Sequence, residues 1–337
     1  MKRINLGVLG ATGAVGEEML KVLEERNFQV TQLKLLASAK SAGQIIQWQG
    51  KDHIVEEVTE NSFEGLDILL VAVGNDISKR FSPIAVEHGA VVIDNSSAYR
   101  LDIDVPLVIP EVNPNDIRNH KGIIANPNCS TIIALTAINE LNKYSRVDRM
   151  TVSTYQAVSG AGLEGIRELD DQISQIMQGN NAVVSTFQHQ IAFNLIPHIG
   201  SFTENGYSEE EMKMQNEGAK ILHNPDLRVN CTCVRVPVYR SHSESITIET
   251  KDEISVEKAK ELLKNANGVK LVDDLDKNQY PMPLDTSDQD LIFVGRIRKD
   301  ISRDNSLSLW CCGDQVRKGA ATNAIQIAEL LVEYSLV

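Results

Sequence analysis

The chain has 337 residues, which at about 150 residues per domain allows two domains that each bury a core, and rules out a peptide or a single small module. Asp and Glu (46) outnumber Lys and Arg (33), for a formal net charge of −13; such a surface repels polyanions, so nucleic acid is not an expected partner. Five cysteines (Cys129, Cys231, Cys233, Cys311, Cys312) form no regular framework, which fits a reducing compartment where any special thiol is reactive.

Met1-Lys2-Arg3 passes directly into a strand-like segment without a signal-peptide stretch, and no run of about 18 apolar residues occurs, so a cytoplasmic protein without a membrane partner is expected. Ile4 to Leu9 is apolar and β-compatible. Gly10-Ala11-Thr12-Gly13-Ala14-Val15-Gly16 then opens a helical pattern at Glu17 to Leu23. Leu33 to Ala37, Asp67 to Gly74 and Ala90 to Asp94 continue a strand series interleaved with helical stretches, which implies α/β architecture with a doubly wound parallel sheet covered on both faces. Asn126-Pro127-Asn128 is a turn signal and marks the expected boundary, where a cleft would begin. Beyond it, a helix is expected over Ser130 to Leu141, and Met150 to Tyr155 and Cys231 to Val236 have the period-two character of strands. Helix-prone segments (Leu163 to Met177, Glu209 to Ile221, Val256 to Ala266) lie between the strands, predicting an α+β second domain, and Lys318 to Tyr334 reads as one amphipathic closing helix.

The glycine motif follows a strand and opens a helix, as a dinucleotide site requires: small residues let a pyrophosphate approach the helix N-terminus, with Gly10, Thr12, Gly13, Ala14 and Val15 as candidate cofactor contacts. The competing reading is a packing turn with no ligand. An NAD site usually has a carboxylate after the second strand, about 20 residues past the motif. Here Ser38, Lys40 and Ser41 stand in a stretch with no carboxylate, which suits the 2′-phosphate of NADP. A solvated loop is the bland alternative.

Cys129 precedes an apolar helix, where the macrodipole favours a thiolate and free N–H groups can hold an oxyanion. A lone cysteine is ordinarily a small buried hydrophobe; its helix-start position makes a nucleophile an equal reading. Cys231 and Cys233 share one strand face with no second ligand pair, so no metal is expected. Cys311 and Cys312 read as core or interface, and the run Arg296 to Lys299 as a polar strand face.

Ser-Ser-Ala-Tyr-Arg at 96–100, Asn-Pro-Asn-Cys-Ser-Thr at 126–131, Tyr-Gln-Ala-Val-Ser-Gly-Ala-Gly at 155–162, Arg-Val-Pro-Val-Tyr-Arg-Ser-His at 235–242 and Gly-Asp-Gln-Val-Arg-Lys-Gly-Ala-Ala at 313–321 stand in this order. With them the chain resembles the aspartate-semialdehyde dehydrogenase family over essentially its whole length, and its short loops look like the Gram-positive bacterial branch. The resemblance implies a Rossmann-like domain with an α+β substrate and dimerisation domain. It also implies the reversible, NADP-dependent conversion of L-aspartate 4-semialdehyde plus phosphate to 4-aspartyl phosphate, in the biosynthesis of lysine (by way of diaminopimelate), methionine and threonine. Cys129 would be the nucleophile and His242 the general base, a role suited to an imidazole with an unperturbed pKa near 6.5. Arg235 would bind the substrate carboxylate as a bidentate fork. Gln156 would position the substrate, Glu210 would hold its ammonium group, and Arg100, Asn128 and Lys213 would contact phosphate. Ser159, Gly160 and Gln315 would meet the nicotinamide half of the cofactor.

Arg240 has no implied role and reads as a strand-end charge. Glu210 and Lys213 could equally be a surface ion pair on one helix face. The expected division is 1–127 plus 316–337 for NADP binding and 128–315 for catalysis and dimerisation. A homodimer is implied, with a tetramer as the alternative. Two other functions remain in view: the related N-acetyl-glutamyl-phosphate reductase, whose cysteine segment is composed differently, and a non-catalytic dinucleotide-binding homologue, which would be expected to lack the cysteine or histidine.

Overall fold

The computed structural model describes residues 4–337; the expectation for Met1-Lys2-Arg3 lies outside the described residues. The chain divides into two compact units, one running through Asn128 and taking back Ala320–Val337, the other Cys129–Gly319. The second junction falls four residues beyond the one expected, because the turn after Asp314 closes on itself: Gly319 N–H donates to Asp314 O at 3.0 Å.

The first unit contains β1 (Ile4–Leu9), α1 (Ala14–Glu25), β2 (Val30–Ala37), β3 (Ile45–Trp48), β4 (Lys51–Glu57), β5 (Ile68–Val71), α2 (Asn75–Glu87), β6 (Val91–Asp94) and β7 (Ile123–Ala125). Its seven-stranded sheet has the order β3-β4-β2-β1-β5-β6-β7. All neighbours are parallel except the edge pair β3 and β4. Alternating side chains feed two cores: Leu6, Val8, Ile68 and Leu70 pack with Met19 and Leu23 of α1, while Leu9, Leu69 and Val71 pack with Phe81 and Ala85 of α2. Burial on both faces explains why these strands read as continuous apolar runs. The β3–β4 hairpin escaped the sequence reading because β3 is four residues long and mostly unburied and β4 is mostly polar and exposed, and β7 because it spans three residues.

The second unit contains α3 (Cys129–Tyr144), β8 (Val147–Gln156), α4 (Leu163–Met177), α5 (Glu209–Ile221), β9 (Arg228–Arg235), β10 (His242–Thr250), α6 (Val256–Lys264), β11 (Val269–Leu271), α7 (Pro283–Thr286), β12 (Ile292–Lys299) and β13 (Ser306–Gly313). The mixed sheet runs β11-β12-β13-β10-β8-β9. Helices α3, α5 and α6 pack against it, over a face made by alternate residues such as Met150, Val152, Ile246 and Ile248. The other residues of the same strands, including Thr151, Ser153, Tyr155, Ser245, Thr247 and Trp310, are half-buried on the opposite face. In place of one closing helix, a wide π-type turn at Arg317–Ala321 precedes α8 (Thr322–Glu333). The turn sets Gly319 so close to Cys129 that an added Cβ would lie 2.9 Å from the cysteine Cβ. Helix α8 contributes Ala324, Ile325, Ala328 and Leu331 to the core of the first unit.

The glycine turn after β1 is sterically committed. Gly10 has φ +88° with its missing Cβ directed at Ala72 O, and a Cβ on Gly16 would stand 2.2 Å from Gly10 O. Gly16→Ala is therefore expected to overpack the turn and cost about 1–3 kcal/mol. Urea unfolding checks this, and wild-type stability would refute the close packing.

Candidate active site

In the second unit three strand ends converge. Parallel register sets Gln156 of β8 beside Arg235 of β9. Antiparallel register sets Tyr155 opposite Ser243, so the adjoining Gln156 and His242 flank one another. All three side chains are on the helix-covered face and almost wholly buried.

Beyond β8 the chain turns at Ala157, and both halves of this residue's backbone are used. Its N–H donates to His242 Nδ1 at 3.1 Å, and its carbonyl accepts from Arg235 Nη1 at 2.7 Å. Nδ1 being an acceptor, the neutral imidazole carries its proton on Nε2. Nε2 has no hydrogen-bond partner among the described residues. Gly160 completes the corner: a Cβ there would lie 2.8 Å from Arg235 Nη1 and 3.4 Å from His242 Nε2, so a larger residue would cover the two groups. The guanidinium also stands over the Phe187 ring at 5.8 Å. Burial pulls the pKa of Arg235 below the ordinary arginine value, against the charges of Glu210 and Cys129, which places the nucleophile candidate within electrostatic reach of the carboxylate-binding candidate.

Gln156 is held at both ends of its amide. Thr154 Oγ1 donates to Oε1 at 3.3 Å, and Nε2 donates to Glu210 Oε1 at 3.1 Å. Glu210 Oε2 accepts from Lys213 Nζ at 2.8 Å, so the spacing of three on α5 gives the expected pair, with Glu210 buried and Lys213 half-exposed. Helix α5 starts where its sequence dictates: Ser208 and Glu211 form a capping box. The free Glu211 Oε1 accepts from Cys233 N–H at 3.0 Å, tying the helix to β9. Cys129 is the first residue of α3 and is half-buried. Ser159 and Gln315 hydrogen-bond each other through Oγ and Nε2, and Gln315 Oε1 accepts from Ser241 N–H at 2.9 Å.

A second polar layer, one pleat further from the strand ends, has no counterpart in the sequence reading. Register aligns Thr154, Cys233, Glu244 and Cys311. Glu244 is fully buried, with neither oxygen hydrogen-bonded among the described residues, and burial raises its pKa well above the usual carboxylate range. Cys231 and Cys233 stand with Sγ atoms 3.7 Å apart. Thiol–thiol hydrogen bonding and then burial raise the Cys231 pKa, burial raises Cys311 well above its usual value, and burial pushes Cys312 up to about 12. The signal for Glu244 was parity: it lies two residues from His242 and so shares its face.

The remaining candidates lie in the first unit. Arg100 is buried, with Nε donating to Asn126 O at 2.9 Å and Nη2 to Asn95 O at 2.8 Å. Its loop is anchored by Asp94, which accepts from Ser96 N–H and Oγ–H at 2.9 and 2.7 Å. Asn128 is also buried. Ser38 and Lys40 are exposed and Ser41 half-buried, in a turn directly after β2 where Ser41 and Ala42 N–H both donate to Ser38 O. Gly13 is the N-cap of α1, with Thr12 before it and Ala14 and Val15 in the first turn. No side chain caps that helix, and a Cβ on Gly13 would meet only Gly10 O at 3.5 Å. The cradle is open to a phosphate, so these residues fit the pyrophosphate of a dinucleotide.

This geometry defines a class, the two-domain semialdehyde dehydrogenases: residues 5–120 match the model of the semialdehyde dehydrogenase NAD binding domain, and residues 139–318 that of the semialdehyde dehydrogenase dimerisation domain. An aspartate-semialdehyde dehydrogenase of Aquifex aeolicus is 51% identical over 98% of this chain and 99% of its own, and that of Bacillus subtilis is 48% identical over 99% of both. A crystal structure of aspartate semialdehyde dehydrogenase II complexed with ASA from Vibrio cholerae superposes with a TM-score of 0.97 at 46% identity, covering 99% of both chains. The Candida albicans enzyme with NADP gives 0.76 at 25% identity over the full length of both. The chain belongs to the aspartate-semialdehyde dehydrogenase family, and its activity is that of an NAD(P)-dependent oxidoreductase of amino-acid biosynthesis. No helix among the described residues is long and apolar enough to cross a membrane.

The site departs from the expected near-neutral histidine. Burial, reinforced by the Arg235 charge and opposed by Glu210, lowers the His242 pKa to about 3. The unfolded chain titrates this group at about 6.5. Between those values the unfolded state binds more protons, so stability is lost as pH falls through that window. Urea unfolding at about pH 7.5 and about pH 5 is expected to show a larger acid loss for wild type than for His242→Gln. Equal losses would show that the ring is not held neutral.

Proposed function

We propose that this chain catalyses the NADP-dependent, reversible interconversion of L-aspartate 4-semialdehyde plus phosphate with 4-aspartyl phosphate through a thioester on Cys129. The observation that carries the reading is the corner at Ala157, where one backbone unit holds both an imidazole and a guanidinium beside the Gln156–Glu210–Lys213 chain. Carboxylate, ammonium group and reacting carbonyl each then have a counterpart of the right chemistry.

In the oxidative direction the Cys129 thiolate attacks the aldehyde carbon, the carbonyl π bond breaks and its electron pair goes to the oxygen, giving a thiohemiacetal oxyanion. His242, expected as the general base, has Nδ1 engaged by Ala157 N–H and carries its proton on Nε2, so at this step it donates a hydrogen bond from Nε2 to the oxyanion and takes up no proton. NADP, when bound, would supply the hydride acceptor that this oxidation requires, and the acyl group is then a thioester on Cys129. A phosphate oxygen then attacks the acyl carbon, the C–S bond breaks and the Cys129 thiolate leaves. Arg235 pairs with the substrate carboxylate, Glu210 with its ammonium group, and Gln156 orients the carbonyl between them. Arg100, Asn128 and Lys213 hold the phosphate. Gly10, Thr12, Gly13, Ala14 and Val15 approach the pyrophosphate, while Ser159, Gly160 and Gln315 meet the nicotinamide half. We assign NADP binding to 1–127 with 316–337, and catalysis to 128–315. The dimerisation-domain match and the half-buried sheet face bearing Tyr155 and Trp310 support a homodimer, with a tetramer as the alternative that sedimentation distinguishes, and the cytoplasm fits the composition.

Cys129→Ala is expected to abolish NADPH formation from the semialdehyde plus phosphate, since no other nucleophile takes its place. Arg235→Ala should retain the thiol and raise KM for the semialdehyde by at least about tenfold, as a charged hydrogen bond is worth about 1.5–3 kcal/mol. Undiminished turnover in the first variant, or a wild-type KM in the second, would falsify the respective role.

Ser38, Lys40 and Ser41 would take the 2′-phosphate, so kcat/KM should be higher with NADP than with NAD. Lys40→Ala should narrow that ratio by about tenfold through loss of one charge-assisted contact, as steady-state rates with both cofactors would reveal. A preference for NAD in the wild type would overturn the assignment.

A further inference from the structure

Arg240 does not behave as a strand-end charge. It lies on the link between β9 and β10, two residues before His242, and its Nε donates to Asp314 Oδ2 at 2.6 Å. Its Nη1 stands 3.0 Å from the largely exposed Asp288. Asp314 itself is fully buried. Its Oδ1 accepts from Val316 N–H at 2.9 Å and Arg317 N–H at 3.2 Å, and its Oδ2 also accepts from Asp288 N–H at 2.7 Å. The carboxylate thus organises the turn that carries Gln315.

Gln315 connects that turn to both sides of the candidate site. Its Oε1 accepts from Ser241 N–H at 2.9 Å and its Nε2 bonds Ser159 Oγ. Ser241 is fully buried with φ +73°, and its Oγ accepts from Thr286 Oγ1 at 2.8 Å. A residue other than glycine keeps such a conformation only when its surroundings over-determine it. Here the reversal at Ser241 is what sends His242 into the sheet's covered face. An ion pair whose carboxylate is fully buried while its guanidinium is partly exposed contributes little net stability but strongly restricts geometry.

We propose that Arg240 and Asp314 are positioning residues for the reaction: their ion pair fixes the Ser241 reversal and the Gln315 amide, and so sets where His242 Nε2 and Ser159 stand. The proposal rests on the roles given above to His242 and Ser159. Neither Arg240 nor Asp314 touches substrate in this scheme, so their removal acts on alignment and not on substrate affinity.

The test is steady-state kinetics of Arg240→Met, Arg240→Lys, Asp314→Asn and the double variant Arg240→Met/Asp314→Asn, with NADPH affinity from its fluorescence and stability from urea unfolding. Arg240→Met is expected to lower kcat by about 10- to 100-fold, the scale of a misplacement of about 1 Å, with KM for the semialdehyde changed by less than about threefold. NADPH binding should weaken as Ser159 loses its anchor. Arg240→Lys, which keeps the charge but not the fork, should recover part of kcat. The double variant leaves no buried charge unpaired, so it should regain stability without regaining kcat. If Arg240→Met does not fold, the lysine and double variants carry the decision alone. A kcat within about twofold of wild type in the folded double variant, or a kcat that merely follows stability across the set, overturns the proposal. His242→Ala run in parallel separates the two layers: wild-type turnover there removes the role of His242, whereas a slow His242→Ala beside fast Arg240 variants removes the clamp alone.

Discussion

The peptide group of Ala157 is the point on which the site turns. One residue, having just left a strand, offers an N–H to imidazole and a C=O to guanidinium. Both partners are buried, so neither bond competes with water, and each is worth more than it would be at the surface. The backbone bond also chooses the imidazole tautomer, which no side-chain acid does here. A main-chain anchor cannot change rotamer, so the two functional groups keep their separation as the side chains around them move.

The two units solve different packing problems. In the first, apolar strands between helices leave polar chemistry to the loops after β1, β2 and β6, where Gly13, Lys40 and Arg100 lie. In the second, polar side chains enter the covered face of the sheet itself. Arg235, Gln156 and His242 occupy the last pleat, with Thr154, Cys233, Glu244 and Cys311 behind them. Burial acts in opposite directions on the two acid–base groups here: it lowers the imidazole pKa of His242 and raises the carboxyl pKa of Glu244, because charge is poorly solvated there. Arg235 is left as the layer's cation, facing Glu210 and Cys129.

Much of this was legible from local pattern. The apolar runs marked β1, β2, β5 and β6, and period-two segments marked β8 and β9, because burial dictates the residue type at each step. Helices α4 and α5 were bounded as expected, the latter by its capping box. The family motifs picked out the residues that meet at Ala157. What stayed hidden depends on contacts distant in sequence: Arg240 and Asp314 are 74 residues apart, and nothing near either one signals the other. The lowered pKa of His242 is equally a property of its surroundings. Glu244 was passed over because a glutamate in a strand is expected on the wet face, and only the register with Thr154 and Cys311 shows otherwise.

The inner cysteine layer has a practical consequence. Cys231, Cys233, Cys311 and Cys312 are all buried, whereas Cys129 is partly accessible, and for Cys231, Cys311 and Cys312 the thiolate form is further disfavoured. Alkylating reagents attack accessible thiolates. In the folded protein such a reagent therefore reports on a single sulfur, that of Cys129, without any need to engineer the other four cysteines away.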